Sequence, residues 1–221
     1  MLLIFDCDGV LVDSERLANA TLAEMMTSLG YPMTTEEAIR TLTGRSLADV
    51  VALAGSLLGG PIPTAIGEQY GQRLLARFPS ELAPVAGVRA AIAALPYRKC
   101  VASSSTRERL ALSLELTGLA PLFGQHVYSA TQVARGKPAP DLFLFAAQST
   151  GETPSACIVI EDSVLGIQAA LAAGMGAIGF AGASHATDDL AQSLAAAGAS
   201  TVISSMAELP EAVERLAVQH S

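Results

Sequence analysis

The chain predicts an α/β protein, a doubly wound parallel-sheet core formed by residues 1–14 and 83–221 with an all-helical cap inserted at 15–82. Three observations predict it. A short apolar run, Leu2 to Phe5, ends abruptly in Asp6-Cys7-Asp8-Gly9, as a buried strand does when it reaches a polar edge. From Lys99 onward strand-like and helix-like patterns alternate, the signature of a parallel sheet with helices on both faces. Between them lies a stretch that reads as helices with no strand.

The first strand places Asp6 and Asp8 on one side and Cys7 on the other, because successive side chains alternate. Two carboxylates that close repel unless something positive lies between them. A hard cation such as Mg²⁺, which takes oxygen ligands, meets that need. The plain alternative is a solvated acidic turn at a strand end.

In the insert, Glu15–Leu29, Thr35–Arg40, Leu47–Leu58 and Ala65–Phe78 read as helices, separated by Gly30-Tyr31-Pro32 and Gly59-Gly60-Pro61. Thr34 and Glu37 have the spacing of a capping box. Pro84 and Gly87 mark the return to the core. There Cys100–Ser103 reads as a strand ending in the hydroxyls Ser103-Ser104-Ser105, followed by a helix over Arg107–Thr117. His126–Ser129 is a weak strand, Asp141–Thr150 a helix, and Ala156–Ile160 a strong strand ending in Glu161-Asp162. Val164–Ala173 reads as a buried helix, Ala177–Phe180 as a strand, Ala186–Ala197 as a helix, Thr201–Ile203 as a short strand and Glu208–Val218 as the last helix.

Val164 to Ala183 is long and apolar enough to suggest a membrane span. Five glycines interrupt it, it lacks aromatic and basic anchors, and Glu161-Asp162 precede it, so helix, turn and strand explain it better. The net charge of −8 argues against nucleic acid, whose phosphates require a basic face. It leaves room for a small phosphorylated substrate held by a metal and a few local cations. Cys7, Cys100 and Cys157 each lie in an apolar run, as reduced core thiols of a cytoplasmic protein would, and none has zinc-site spacing. No signal peptide is visible. The expected state is a monomer or weak homodimer, with no membrane partner.

Ligands of open parallel sheets bind beyond the carboxyl ends of the strands. Three such ends carry chemistry here: Asp6/Asp8, Ser103 to Ser105, and Glu161-Asp162. The loop Gly136-Lys137-Pro138-Ala139-Pro140-Asp141 adds a lysine restrained by prolines. In this order these segments, from Asp6-Cys7-Asp8-Gly9-Val10-Leu11-Val12-Asp13-Ser14 through Val101-Ala102-Ser103 to Ile160-Glu161-Asp162-Ser163 with Gly166 and Ala169, resemble the haloacid dehalogenase superfamily. The likeness is to its β-phosphoglucomutase and sugar-phosphate phosphatase branch with a helical cap, and it covers nearly the whole chain.

The resemblance implies a Rossmann-like core and phosphoryl transfer through an aspartyl-phosphate. Asp6 would be the nucleophile. Asp8 would protonate the leaving alkoxide and then activate water. Mg²⁺ would be held by Asp6, the Asp8 carbonyl and Asp162, with Glu161 helping directly or through water. Ser103 and Ser104 would bind the phosphate, and Lys137 would balance Asp6 and the phosphate charge. Asp141 reads better as a helix cap, Asp13 as structural, and His126, His185 and His220 as ordinary loop or strand residues. Glu15, Arg45 and Arg107 are candidate readers of the leaving group.

Departures from the family pattern narrow the reaction. Dehalogenases and phosphonatases lack the second motif aspartate, which is present here as Asp8. Glu15–Leu82 holds no lysine, against both phosphonatase and mutase chemistry. The mutase cap histidine is Ala18 here, and its cap arginine, third after a glycine, would fall at Leu47 after Gly44. Hydrolysis is therefore favoured over a β-phosphoglucomutase-type reaction. A catalytically silent binding protein is the distant alternative, opposed by intact motif positions. The segments Asp13-Ser14-Glu15 and Phe78-Pro79-Ser80-Glu81-Leu82 look like those of sugar-phosphate phosphatases, including bacterial 6-phosphogluconate phosphatases.

Overall fold

The structure, a computed structural model, describes residues 1–42, 47–60, 62 and 65–219. The chain divides into two compact units, Met1–Asp13 with Ala83–Ser221, and Ser14–Leu82.

The first unit is built on a six-stranded sheet: β1 (Leu2–Phe5), β2 (Arg98–Ser103), β3 (Val127–Ser129), β4 (Cys157–Glu161), β5 (Gly176–Phe180) and β6 (Thr201–Ile203). Their spatial order is β3-β2-β1-β4-β5-β6, and every pairing is parallel. The chain runs outward from β1 through β2 to β3, then crosses back to lay β4 on the other side of β1. This reversal is the topological switch point at which ligands of such sheets bind. Every residue of β1, β4 and β5 is buried, as strands covered on both faces must be. Burying the four apolar side chains of β1 contributes roughly 1.5–3 kcal/mol each, which anchors the strand that carries Asp6 and Asp8.

Strand alternation sorts the core. Leu2 and Ile4 of β1, Cys100 and Ala102 of β2, and Cys157 and Val159 of β4 belong to one buried cluster with Leu142, Phe143 and Ile167. Asp6 and Glu161 each continue the same face one step past an apolar residue. All three cysteines are buried and free.

The second unit holds α1 (Glu15–Ser28), α2 (Thr35–Leu42), α3 (Leu47–Leu58) and α4 (Ile66–Glu81). Its apolar centre includes Ala23, Ala38, Leu42 and Val50. The capping box forms: Thr34 N donates to Glu37 Oε2 at 2.8 Å, and Glu37 N donates to Thr34 Oγ1 at 3.2 Å. Arg77 ties α4 to α1, donating to Glu81 on its own helix and to Thr21 and Glu24.

In the core unit, α5 (Val88–Ala94), α6 (Arg107–Leu116), α7 (Ala120–Phe123), α8 (Asp141–Thr150), α9 (Val164–Ala172), α10 (Leu190–Ala196) and α11 (Leu209–Gln219) surround the sheet. The sequence pattern missed α5 and α7, which are too short to show a helical period. It also began α10 too early. Strand β2 starts two residues before the apolar run, because Lys99 Nζ finds the carbonyls of Leu95 and Tyr97 at 2.7 and 2.8 Å, and Arg98 finds Glu152 at 2.7 Å. The apolar stretch from Val164 resolves into α9, a turn at Gly174 and β5. Among the described residues no helix is long and apolar enough to cross a membrane.

Candidate active site

The carboxyl ends of β1, β2 and β4 and the loop before α8 bring four carboxylates and a lysine together. Lys137, whose side chain is 6% exposed, donates to Asp6 Oδ1 at 2.6 Å and to Glu161 Oε1 at 2.5 Å. Its third partner is the carbonyl of Ala102 at 3.3 Å, so all three ammonium protons have acceptors. The ammonium also lies 4.9 Å from the Phe143 ring centroid. Burial alone would lower the lysine pKa, but Asp6 and Glu161 outweigh it and hold the ammonium above its usual value. Burial pushes Asp6 well above the ordinary carboxylate range; Lys137 opposes this, while Glu161, Asp162 and Asp8 add to it.

Glu161 was expected near the metal. Both of its oxygens accept from protein donors: Oε1 from Lys137, and Oε2 from the Ser163 amide at 2.9 Å and hydroxyl at 2.8 Å. Ser163 also caps α9 through the Gly166 amide at 3.0 Å. The carboxylate lies so close over this helix start that Gly166 has no room for a Cβ, which would fall 1.9 Å from Glu161 Cδ. Glu161 is thus the anchor of Lys137.

Asp8 has separate partners. Its Oδ1 accepts from Arg109 Nη2 and its Oδ2 from the Ser105 hydroxyl, both at 2.6 Å. Ser105 is fixed in turn by Ser129 at the end of β3, whose hydroxyl donates to the Ser105 carbonyl at 2.6 Å. The chain turns sharply after Asp8, with Gly9 at φ +80° and the Leu11 and Val12 amides both on the Cys7 carbonyl.

Asp162 is 9% exposed and meets His185 Nε2 at 3.3 Å. Burial raises its pKa against the opposing His185 hydrogen bond. A Cβ on Gly9 would lie 1.8 Å from Asp162 Oδ2, so only glycine lets the first loop pass this carboxylate. The loop that delivers His185 is tied to the core by Ser184, whose hydroxyl donates to Asp13 Oδ1 at 2.7 Å.

Ser103 is 1% exposed at the end of β2, its hydroxyl accepting from the Ser105 amide at 3.2 Å. It does not cap α6; Thr106 does, through the Arg109 amide. Ser104 and Arg107 are exposed. Asp141, expected as a helix cap, is gripped instead by Nε and Nη2 of Arg135, at 3.1 and 2.7 Å. His185 is the clearest departure among the histidines, being buried against Asp162 rather than idle in a loop. Glu15 opens α1 in the second unit, and Arg45 lies outside the described residues. Arg109 escaped sequence reasoning although Arg107, two positions earlier, did not. The usable signal was Thr106, a good cap residue whose bond to the third residue on places Arg109 in the first turn.

The donor set suits a hard divalent cation. Burial foremost, and then the neighbouring carboxylates, disfavour ionised Asp6, and Lys137 opposes them. Among the described residues no three His, Cys, Asp or Glu side chains converge as a complete cage. Mg²⁺ does not require one, since it is usually held by one or two carboxylates with waters and substrate phosphate. Asp6 and Asp162 can supply that pair.

Residues 1–174 match the family model for haloacid dehalogenase-like hydrolases. A haloacid dehalogenase-like protein of unknown function from Agrobacterium tumefaciens C58 is 39% identical, with a TM-score of 0.91 over 98% of each chain. A hydrolase of the same family from Deinococcus radiodurans R1, with bound phosphate and sodium, is 35% identical with a TM-score of 0.81, over 97% of this chain and 95% of that one. The 6-phosphogluconate phosphatase of Escherichia coli K12 is 29% identical over 172 residues, 77% of this chain and 78% of its own. The match over most of the chain, on a sheet whose switch point gathers the acidic strand ends around Lys137, shows that this protein belongs to the haloacid dehalogenase-like hydrolase family.

Proposed function

We propose that the protein is a Mg²⁺-dependent phosphatase that hydrolyses a small phosphorylated metabolite, a sugar or sugar-acid phosphate, in the cytoplasm. The observation that carries this reading is the buried Lys137 ammonium on Asp6 at the carboxyl end of β1. A carboxylate so placed is pinned beside a fixed positive charge, which favours attack on an anionic phosphoryl group. The names of the relatives support a phosphoric monoester, and the 6-phosphogluconate phosphatase supports a sugar acid as the alcohol.

In this reading an Asp6 oxygen attacks phosphorus, the ester P–O bond breaks, and Asp8 gives a proton to the departing alkoxide. Water, losing a proton to the same Asp8, then attacks the aspartyl-phosphate and releases inorganic phosphate and Asp6. Lys137 neutralises charge as it develops, and the Ser103 hydroxyl donates to a phosphoryl oxygen. Asp6, Asp162 and the Asp8 carbonyl would hold Mg²⁺, which supplies further charge neutralisation when bound. Ser104 as a phosphate contact, and Glu15, Arg45 and Arg107 as readers of the leaving group, belong to the proposal. Ala18 and the lysine-free segment Glu15–Leu82 support hydrolysis over a mutase. The three free buried thiols support a reducing compartment.

The test is phosphate release from a panel of phosphorylated metabolites and aryl phosphates with Mg²⁺. The wild type should release phosphate, and Asp6→Asn should remove that activity without loss of fold. Activity retained by Asp6→Asn would reject Asp6 as the nucleophile.

A further inference from the structure

We propose that Arg109 is a positioning residue for the general acid. It would act with Ser105 as a two-point clamp that aims the Asp8 carboxylate at the leaving oxygen. The inference rests on the phosphatase reading above and deepens it.

Asp8 lies just beyond the strand, where the chain has already begun to turn. A general acid works only within hydrogen-bond reach of the atom it protonates, about 2.6–3.2 Å. A displacement of about 1 Å can cost about a hundredfold in rate. Something must therefore fix the side chain. Arg109 takes Oδ1 and Ser105 takes Oδ2, one donor to each oxygen at 2.6 Å. Two bonds to different oxygens define the plane of the carboxylate as well as its position.

Both donors come from the segment after β2, and both are themselves fixed. The Ser105 carbonyl accepts the Ser129 hydroxyl at 2.6 Å, and the Arg109 amide donates to Thr106 Oγ1 at 3.3 Å, so the base of the arginine belongs to the cap of α6. The Asp8 side chain is 14% exposed and that of Arg109 23%, placing the pair at the wall of the site rather than in the apolar core. Lys137 plays the matching part for Asp6. The two motif aspartates are thus held by separate cations, one from the loop before α8 and one from α6.

The clamp serves proton donation, so its loss should depend on how much the leaving group needs a proton. Arg109→Ala, Arg109→Lys and Ser105→Ala are compared with wild type on two aryl esters of similar shape, phenyl phosphate and 4-nitrophenyl phosphate, with Mg²⁺ and with a melting curve for each protein. The nitrophenolate departs readily without protonation, whereas phenolate does not. Arg109→Ala should lower kcat on phenyl phosphate about a hundredfold, with KM little changed, and on 4-nitrophenyl phosphate by no more than about fivefold. Ser105→Ala should show the same selectivity to a smaller degree. Arg109→Lys, which can still bond one oxygen, should recover part of the phenyl phosphate rate. Equal losses on both esters, a loss confined to KM, or no loss would overturn the clamp while leaving the phosphatase reading intact. A wild type inactive on both esters and on the metabolite panel would reject that reading and the clamp with it.

Discussion

Gly166 lies directly beneath Glu161, so close that a methyl group on it would sit 1.9 Å from the carboxylate carbon and 2.0 Å from Oε1. The missing side chain is what lets Glu161 fold over the start of α9 and reach Lys137. Two effects compete in Gly166→Ala. Helix propensity favours alanine by up to about 1 kcal/mol. Overpacking a filled site costs about 1–3 kcal/mol, and a carboxylate bonded to both Lys137 and Ser163 has little freedom to yield. The clash should win, lowering Tm by about 2–8 °C and reducing activity. Gly71 in α4 is the control, with nothing within 4 Å of its added Cβ, so Gly71→Ala should be neutral or stabilising. Thermal unfolding of both variants decides it, and a stabilised Gly166→Ala would contradict the packing shown.

Lys137→Met removes the cation but leaves its buried partners. Removing one member of a buried ion pair typically costs about 3–5 kcal/mol, because the remaining charge is uncompensated. For a protein of this size that is a fall in Tm of roughly 6–20 °C near neutral pH. Lys137, raised in the folded state, contributes fully below its unfolded value near 10.4 and loses that contribution only as pH rises through the higher folded value. Its support is therefore constant through neutral pH. In the variant the raised Asp6 takes up a proton as pH falls, which relieves the repulsion. The Tm gap between wild type and variant should narrow toward pH 5, and a gap that widens there would refute the account.

The strand ends were legible because alternation and burial are local rules: once Leu2 to Phe5 is a strand, Asp6 must continue the Leu2–Ile4 face. The same rule could have separated Glu161 from Asp162, since neighbours on a strand point to opposite faces. One therefore meets Lys137 and the other His185. What stayed hidden depends on paths through loops. His185 reaches Asp162 only because Ser184 hooks the intervening loop to Asp13, a contact across 171 positions. Charge alone does not single out Arg109 from Arg107, because what each reaches depends on how the helix start is rotated, which its cap settles. The short helices α5 and α7 carry too few residues for a period to show.

Magnesium should stabilise the protein in a pH-dependent way. Burial foremost raises both Asp6 and Asp162 in the metal-free state. For such groups the penalty of ionisation is fully present above the folded pKa. It is relieved as pH falls through that value toward the unfolded value near 3.9. A divalent cation stabilises the ionised carboxylates and competes with those protons. The rise in Tm on adding millimolar Mg²⁺ over a chelator control should be largest around pH 7–8 and shrink toward pH 5. A shift of equal size across that range, or none, would count against Asp6 and Asp162 as the ligands.

The contact between His185 and Asp162 gives the last prediction. Asp162 Oδ2 is met by the imidazole Nε2 at 3.3 Å, and Gly9 passes so close to that carboxylate that an added Cβ there would lie 1.8 Å from Oδ2. The histidine side chain is 5% exposed and its loop is anchored through Ser184, so it can hold Asp162 in one orientation. Partners that orient a ligating carboxylate typically contribute 10–100-fold in metal affinity. His185→Ala should raise the Mg²⁺ concentration needed for half-maximal activity by about that factor, while kcat at saturating metal changes less. His185→Gln, which keeps a donor in reach, should lie between the two. The measurement is a Mg²⁺ titration of phosphate release, paired with the metal-induced Tm shift as a readout independent of turnover. If both readouts match wild type in His185→Ala, the histidine only fills space beside Asp162. A loss of kcat with unchanged metal dependence would place its role at the substrate instead.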